Sequence, residues 1–383
     1  MIAPGVILPN ATLGILGGGQ LGRMFVVAAR TMGYQVTVLD PDPDSPAAQL
    51  ANRHIIADYA DQSALDQLAE TCAAITTEFE NVPATALEYL AKFLPVRPAG
   101  AVVAIIQDRI REKNFLQSNG FKTARFAIIE NSQQIATAAQ HTGLPALLKR
   151  SRFGYDGKGQ KMVRTLREAQ QAFQDFGAQP AVLEELVAIK MEISIIIVRN
   201  VDGSTTTYPP SENIHRNGIL DIGIAPARIS PELTEVATQA ARRIADMLQY
   251  CGVMAVEFFL TQTDELLVNE LAPRPHNSGH YTLDVGTTSQ FEQQVRSLCG
   301  LPLGEVAVCQ PSVMVNILGD LWHEKNMPDW TKILCHPQVK LHLYGKQEAR
   351  AGRKMGHYTC VGENIKDMLT LALKIRNELY VAI

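Results

Sequence analysis

Glu257 and Glu270 carry the strongest chemical signal in this chain. They lie in VMAVEFFLTQTDELLVNELAPRPHNSGH, Val253 to His280, which reads as two short strands joined by a tight turn at Thr263–Asp264. Counting outward from that turn sets Glu257 opposite Glu270, on one face of the hairpin. Two carboxylates so placed repel, and one must take up a proton unless a positive charge lies between them. A divalent cation is the simplest such charge, and two acids plus phosphate oxygens make a hard donor set that suits magnesium. Val256, Phe258, Leu260 and Leu267 read as buried, which holds the acids on a packed scaffold and argues against a surface hairpin whose acids are merely solvated. Arg274, His276, Asn277, Ser278 and His280 follow at once, a run too polar to read as core.

A second chemical signal is Gly154-Tyr155-Asp156-Gly157-Lys158-Gly159-Gln160, a glycine loop that follows Lys149 at the end of an apolar strand. The phosphate loop G-x-x-x-x-G-K-[ST] occurs nowhere in the chain. A mobile glycine flap between two strands can still fold over phosphates and offer them backbone N–H groups. Glu184-Glu185-Leu186-Val187 ends another strand, where a backbone edge can pair with a purine base and Glu184 can take its amino group. Glu192 and His215 are only suggestive by themselves, since a lone histidine is more often structural than catalytic. Lys346, Arg350, Arg353 and Lys354 fall within nine residues. They can clamp a phosphate through charge-assisted hydrogen bonds, or simply solubilise a turn.

Near the start, Gly17-Gly18-Gly19-Gln20-Leu21-Gly22 matches G-x-G-x-x-G between a strand and a helix, and Asp40 ends the next strand. Alone this predicts a dinucleotide site with NAD as ligand. The proline-rich acidic loop PDPDSPAA after Asp40 is an awkward wall for an adenosine pocket, so another ligand at the strand ends, or tight packing, fits better. Glu78-Phe79-Glu80-Asn81 falls at the carboxyl edge of the same sheet, where ligands usually bind.

These residues need scaffolds of two kinds. Up to about residue 107 the chain alternates strand and helix: ATLGIL, a helix after the glycines, YQVTVLD, HIIAD, SALDQLAETC and AAITTE. That alternation implies a parallel sheet covered by helices. A helix with charged residues on one side follows from Asp108 to Asn119. From about 124 to 300 the texture is α+β, with antiparallel strands such as MEISIIIVRN and a long helix beginning at SPELTEV. From about 311 the chain reads as a small β-rich module closed by a helix from about 364 to 378.

At 383 residues the chain has room for two or three domains, and its 46% hydrophobic and 19% charged residues are ordinary for a globular protein. A net charge of −4 argues against an electrostatic grip on nucleic acid or anionic membranes. No apolar run approaches a membrane span, and the start lacks the basic region of a signal peptide. Cys72, Cys251, Cys299, Cys309, Cys335 and Cys360 form no C-x-x-C pair and read as reduced structural thiols, which points to the cytoplasm.

Taken in order, GGGQLGRM, TEFENV, QDR, KRSRFGYDGKGQ, MAVEFF, NELAPRPHNSGH and GRKMGH resemble the motifs of the ATP-grasp superfamily, and in detail those of the 5-(carboxyamino)imidazole ribonucleotide synthase family. They span Gly17 to His357. The resemblance implies an α/β and α+β ATP-grasp architecture: a Rossmann-like parallel-sheet domain over 1–107, a central ATP-grasp domain over 108–305 and a small β-rich domain over 306–383. It also implies ATP, two magnesium ions and bicarbonate as co-substrate, acting on aminoimidazole ribonucleotide, in a homodimer. Arg109, Lys149, Gly154 to Gln160, Glu184, Glu185, Leu186, Val187, Glu192 and His215 then line the ATP pocket. Glu257, Asn269 and Glu270 hold magnesium. Tyr155, Asp156, Lys158, Arg274, His276, Lys346 and Arg353 hold the ribonucleotide, which Gln20 and Glu78 approach from the first domain. Either Asp156 or His276 handles the substrate amine proton. Two departures stand out: about ten residues precede the first strand without an assignable role, and Lys158 stands where arginine is common, although only arginine pairs bidentately with a carboxylate or phosphate.

Overall fold

The computed structural model describes residues 5–154, 159–322 and 327–381. The first sheet is parallel, as the strand–helix alternation predicts. It comprises β1 (Thr12–Leu16), β2 (Gln35–Leu39), β3 (Arg53–Ile55) and β4 (Ala74–Thr77) in the order β3-β2-β1-β4. Helices α1 (Gln20–Thr31) and α2 (Gln62–Thr71) make the crossovers, and α2 is capped by the Asp61 carboxylate, which accepts from Ala64 N. After α3 (Ala84–Leu90) and α4 (Gly100–Ile106), helix α5 (Arg109–Ser118) starts at Asp108, whose side chain accepts from Ile110 N and Arg111 N.

A four-stranded antiparallel sheet follows, in the order β5-β8-β6-β7. Its strands are β5 (Phe126–Ile129), β6 (Ala146–Arg150), β7 (Gln160–Val163) and β8 (Ala181–Glu185), backed by α6 (Ile135–Thr142) and α7 (Leu166–Asp175). The chain then enters a nine-stranded sheet with β9 (Ile189–Arg199), β10 (Thr205–Thr207), β11 (Ser211–Arg216) and β12 (Ile219–Ala225). Helix α8 (Pro231–Met247) packs across it before β13 (Gly252–Thr261) and β14 (Leu266–Ala272). Short α9 (Thr282–Val285) and then α10 (Gln290–Cys299) lead to β15 (Ser312–Leu318), α11 (Thr331–Leu334), β16 (Val339–Leu343), β17 (Lys354–Val361) and α12 (Ile365–Val381).

Two features go beyond the reading of separate blocks. The C-terminal strands build no sheet of their own. Strand β15 pairs with β12 from Ala225↔Ser312 to Ile222↔Val315, so the nine-stranded sheet runs β14-β13-β9-β11-β12-β15-β17-β16, with β10 paired to β9 off that path. And α10, far along the chain, completes the first core: Val295, Leu298 and Cys299 pack with Leu13, Phe25 and Val36. The residues before β1 gain a role here. Ile7 N donates to Cys299 O at 2.9 Å, and Tyr34 Oη donates to Ile7 O at 2.8 Å, so the leading segment ties α10 to the first sheet. Among the described residues, no helix is long and apolar enough to cross a membrane. All six cysteines are free. Cys309 and Cys335 are exposed, so the expectation of structural thiols fails for that pair.

Candidate active site

Glu257 and Glu270 do face each other across β13 and β14, but not by the simple count. Leu260 pairs with Leu266, Phe259 with Leu267 and Phe258 with Val268, one residue out of step with a turn centred on Thr263–Asp264. A bulge restores the register: Asn269 is the extra residue, and Glu257 then pairs with Glu270. The bulge brings three oxygen-bearing side chains together. The Asn269 side-chain oxygen is buried without a hydrogen-bond partner, an orphan that a hard cation would satisfy. Burial, and then the Glu270 charge, push Glu257 well above the usual carboxylate range. Burial acts the same way on Glu270, but Arg109, with NH2 at 3.1 Å, and then Lys149 outweigh it and hold Glu270 down. One acid thus waits for a proton or a cation, and the residues fit magnesium.

Glu257 Oε1 also lies 3.1 Å from His276 Nε2. Burial and the neighbouring Arg274 and Lys354 charges hold His276 well below its usual value, so the ring is neutral. Its Nδ1 faces Ser278 Oγ at 2.9 Å and accepts from Ser278 N at 3.4 Å, while Ser278 Oγ accepts from Ser194 Oγ at 2.6 Å. That network leaves Nδ1 as an acceptor and puts the proton on Nε2, beside Glu257. The polar run after β14 is therefore core, contrary to the sequence expectation. Asn277, Ser278 and His280 are buried, satisfied by Asn316, Ser194 and Gln290 respectively. What looked too polar to bury is a closed hydrogen-bond network.

Against the acid-bearing strand stands a buried ionic cluster. Lys149, on β6, donates to Glu184 Oε2 at 2.7 Å, and Lys113 Nζ, on α5, lies 3.5 Å from Glu184 Oε1. Burial opposes the Glu184 charge, but Lys149, Lys113 and Arg109 together bring its carboxyl down to about 2. The carboxylate is only half engaged: Oε2 accepts from Lys149, while Oε1 is buried without a hydrogen-bond partner, which keeps an acceptor for the purine amino group expected there. Glu185 is committed, accepting from Arg125 N and Arg125 Nε. The edge left for a base is the backbone of Leu186 and Val187, in the link between the two sheets. Glu192 and His215 come together from β9 and β11, with Oε2 2.9 Å from Nδ1. Burial opposes the His215 charge, and Glu192 outweighs burial to raise it. Gly154, Gly159 and Gln160 flank the flap, and Gln160 pairs with Lys149 in the β6–β7 ladder. Tyr155, Asp156, Gly157 and Lys158 lie outside the described residues.

The first domain presents acids to this site, and its glycine loop is already filled. Gly18 N donates to Asp40 Oδ2 at 2.6 Å, Gly19 N to Glu78 Oε1 at 2.5 Å and Gly22 N to Glu78 Oε2 at 2.8 Å. Asp40 also accepts from Tyr59 Oη. The amides a pyrophosphate would need are therefore taken by the chain's own carboxylates, which removes the NAD reading. Gln20 opens α1 beside this clamp. From the same edge Glu80 accepts from Arg274 Nε, joining the first domain to the loop after β14. Arg274 NH1 donates to Pro275 O.

In the C-terminal turn Lys346 Nζ donates to Lys354 O, and Arg353 NH1 donates to Glu348 O. Arg350 pairs with Glu348 in solvent. Two side chains, Glu112 and Lys113, escaped the sequence reading, and two more were named there without the partners they have here. Glu80 and Lys354 lay in motifs already marked, and Lys354 acts on Glu257, His215 and His276. Glu112 and Lys113 had only their spacing from Arg109 to betray them. A further trio, Asp284, His342 and His357, gathers at one spot. The imidazoles stack face to face, 4.5 Å apart and 13° from parallel, so an ion in the plane of one ring would lie off the plane of the other. That group holds by the His342–Asp284 hydrogen bond and by stacking.

A parallel entry domain, two antiparallel sheets enclosing a cleft, and acids and lysines converging from both define an ATP-grasp protein. Residues 114–291 match the ATP-grasp domain family, 10–107 the ribonucleotide synthetase preATP-grasp domain and 312–370 the phosphoribosylaminoimidazole carboxylase C-terminal domain. The N5-carboxyaminoimidazole ribonucleotide synthase of Bacillus subtilis (strain 168) is 46% identical over 354 residues, covering 92% of each chain. A solved ADP complex of an N5-carboxyaminoimidazole ribonucleotide synthetase superimposes with a TM-score of 0.92 at 41% identity, covering 99% of both chains. The Aspergillus clavatus N5-carboxyaminoimidazole synthase, solved with ADP and 5-aminoimidazole ribonucleotide, gives 0.89 at 30% identity over 97% of this chain and 99% of that one. The chain belongs to the N5-carboxyaminoimidazole ribonucleotide synthase family.

Proposed function

We propose that this protein carboxylates the amino group of 5-aminoimidazole ribonucleotide, consuming ATP and bicarbonate and releasing ADP and phosphate. The observation that carries this reading is the facing pair Glu257–Glu270 with the bulged, partnerless Asn269 oxygen, beside the Lys149–Glu184–Lys113 cluster. Glu257, Glu270 and Asn269 would hold magnesium, which supplies positive charge to the nucleotide's terminal phosphates. Arg109 and Lys149 add fixed charge on the same side, in a cleft where such charge costs no reorganisation at the moment of reaction.

A bicarbonate oxygen forms a bond to the γ-phosphorus as the bond to the β-phosphate oxygen breaks, giving carboxyphosphate and ADP. Little covalent chemistry falls to the protein in this step; it positions the reactants and neutralises charge. The Gly154–Gln160 flap excludes water from the labile carboxyphosphate. The carboxyl carbon then bonds to the exocyclic nitrogen, phosphate leaves and the amine gives up a proton. Asp156 of the glycine loop or His276, whose Nε2 lies 3.1 Å from Glu257, takes this proton. Arg274, Lys346 and Arg353 provide cations for the ribonucleotide phosphate and the carboxylate.

The test is ADP release from Mg-ATP and bicarbonate, with and without 5-aminoimidazole ribonucleotide. Strong stimulation with one ADP per carboxylated product is expected. Equal ADP release without the ribonucleotide, in a protein that binds ATP, would overturn the substrate assignment.

A further inference from the structure

Helix α5 docks in an unusual way. Its buried residues are Glu112, Lys113 and Leu116, so two of the three side chains that seat it are ionisable. Burying an ion costs several kcal/mol even after relaxation, and apolar side chains of similar size would seat a helix without that cost. Both side chains reach the same short stretch of backbone. Lys113 Nζ donates to Asn269 O at 3.0 Å, and Glu112 Oε1 accepts from Leu271 N at 2.6 Å. Between those two residues sits Glu270, whose carboxylate accepts from Arg109. One face of α5, at positions i, i+3 and i+4, therefore grips three consecutive residues of β14.

Strand β14 ends the nine-stranded sheet and has β13 on one side only. Its outer backbone groups have no neighbouring strand to set them, and the bulge at Asn269 weakens the ladder on the inner side as well. Lys113 also reaches Glu184 of the other sheet, so the same ammonium ties the carboxylate-bearing strand to the lysine cluster.

Resting on the function proposed above, we propose that Glu112 and Lys113 are positioning residues for phosphoryl transfer, setting Asn269 and Glu270 through the backbone of β14. They touch neither nucleotide nor metal. Their effect is on the geometry of a ligand set that a bulged edge strand would otherwise leave loose. Outer-shell partners of metal ligands matter in this way generally, and their loss costs about 10- to 100-fold in metal affinity.

The experiment measures the free Mg²⁺ needed for half-maximal ADP release at saturating ATP, beside ATP binding in metal-free buffer. Glu112→Leu removes the acceptor of the Leu271 N–H and should raise the Mg²⁺ requirement about tenfold or more, with metal-free ATP binding unchanged. Glu112→Gln keeps an accepting oxygen and should stay near wild type. A merely structural role would lower the unfolding midpoint while leaving the Mg²⁺ requirement alone. A folded Glu112→Leu protein with the wild-type Mg²⁺ requirement overturns the proposal. If that variant does not fold, Lys113→Met decides in its place by the same readout. Wild-type protein without Mg²⁺-dependent ADP release would overturn the proposed function as well, whereas active wild type with unmoved variants overturns the positioning role alone.

Discussion

Replacing Glu184 by glutamine should destabilise the protein far more than one lost hydrogen bond would suggest. Glu184, Lys149 and Lys113 are 2%, 5% and 0% exposed, so the carboxylate is the main compensation for two buried ammonium groups. Each pH unit by which folding holds a carboxyl down is worth about 1.36 kcal/mol, so the fall from 4.5 to about 2 corresponds to about 3 kcal/mol. The sign follows from linkage: the contribution is complete above the ordinary carboxyl value and is lost as pH falls toward the folded one. Lys149 feels the cluster differently. Burial holds its ammonium below the usual range despite Glu184, with Arg109 and Lys113 adding repulsion. Part of the carboxylate's contribution therefore offsets the cost of burying Lys149, which makes about 3 kcal/mol an upper bound for the pair. Removing only the acid forfeits the attraction and leaves that cost, so urea unfolding near neutral pH should show a loss of about 3 kcal/mol. Lys149→Met in the Glu184→Gln background should recover part of it, because an apolar side chain suits the emptied site. A Glu184→Gln loss below about 1 kcal/mol, or strict additivity with Lys149→Met, would refute the reasoning.

Other outcomes follow from the same site. Because Glu257 is held above its usual range, the metal-free protein loses stability as pH rises through the folded value. Mg²⁺ must displace a proton below that value, so its apparent affinity should climb by up to about tenfold per pH unit. Glu257→Gln should flatten that slope in a Mg²⁺ titration, and a flat slope in wild type would contradict the proton account. Glu270→Gln removes the acid that Arg109 keeps ionised and should abolish ADP formation in a coupled assay; normal turnover would remove it from the metal site. At Gly19 an added Cβ would lie 2.5 Å from Glu78 Oε1 and 3.1 Å from Oε2, so Gly19→Ala should cost about 1–3 kcal/mol in urea unfolding by prising open the clamp. NADH should show no saturable binding under conditions where ATP binds, since the loop amides are already occupied.

The sequence made the acidic hairpin legible because strand periodicity puts opposed acids on one face. It reached the right pair through two errors that cancel: the turn is displaced by one residue, and the bulge at Asn269 moves the register back. Nothing in VNELA announces a bulge, since the extra residue is defined only by its partner strand. The parallel entry sheet was legible from alternation, and the Glu78 clamp was not, because it links positions 59 apart. Composition misjudged Asn277, Ser278 and His280, whose partners Asn316, Ser194 and Gln290 are scattered along the chain. Polarity marks a residue as costly to bury, not as exposed. Glu184 shows the same limit. Its place at a strand end was visible, but the two lysines that meet its carboxylate come from elsewhere, and only packing brings them together.

The seam between β12 and β15 also bears on how such a protein can change over evolutionary time. A terminal unit attached by a linker can be exchanged between relatives as a cassette. Here a transplanted tail would have to match a ladder from Ile222 to Ala225 residue for residue, and it would carry the Lys346–Arg353 turn with it. The first domain is bound in just as firmly, because Val295, Leu298 and Cys299 of its core are encoded nearly two hundred positions downstream. Recombination within this chain would cut through shared cores, so new substrate preferences are more accessible by point substitution around the cleft than by swapping parts.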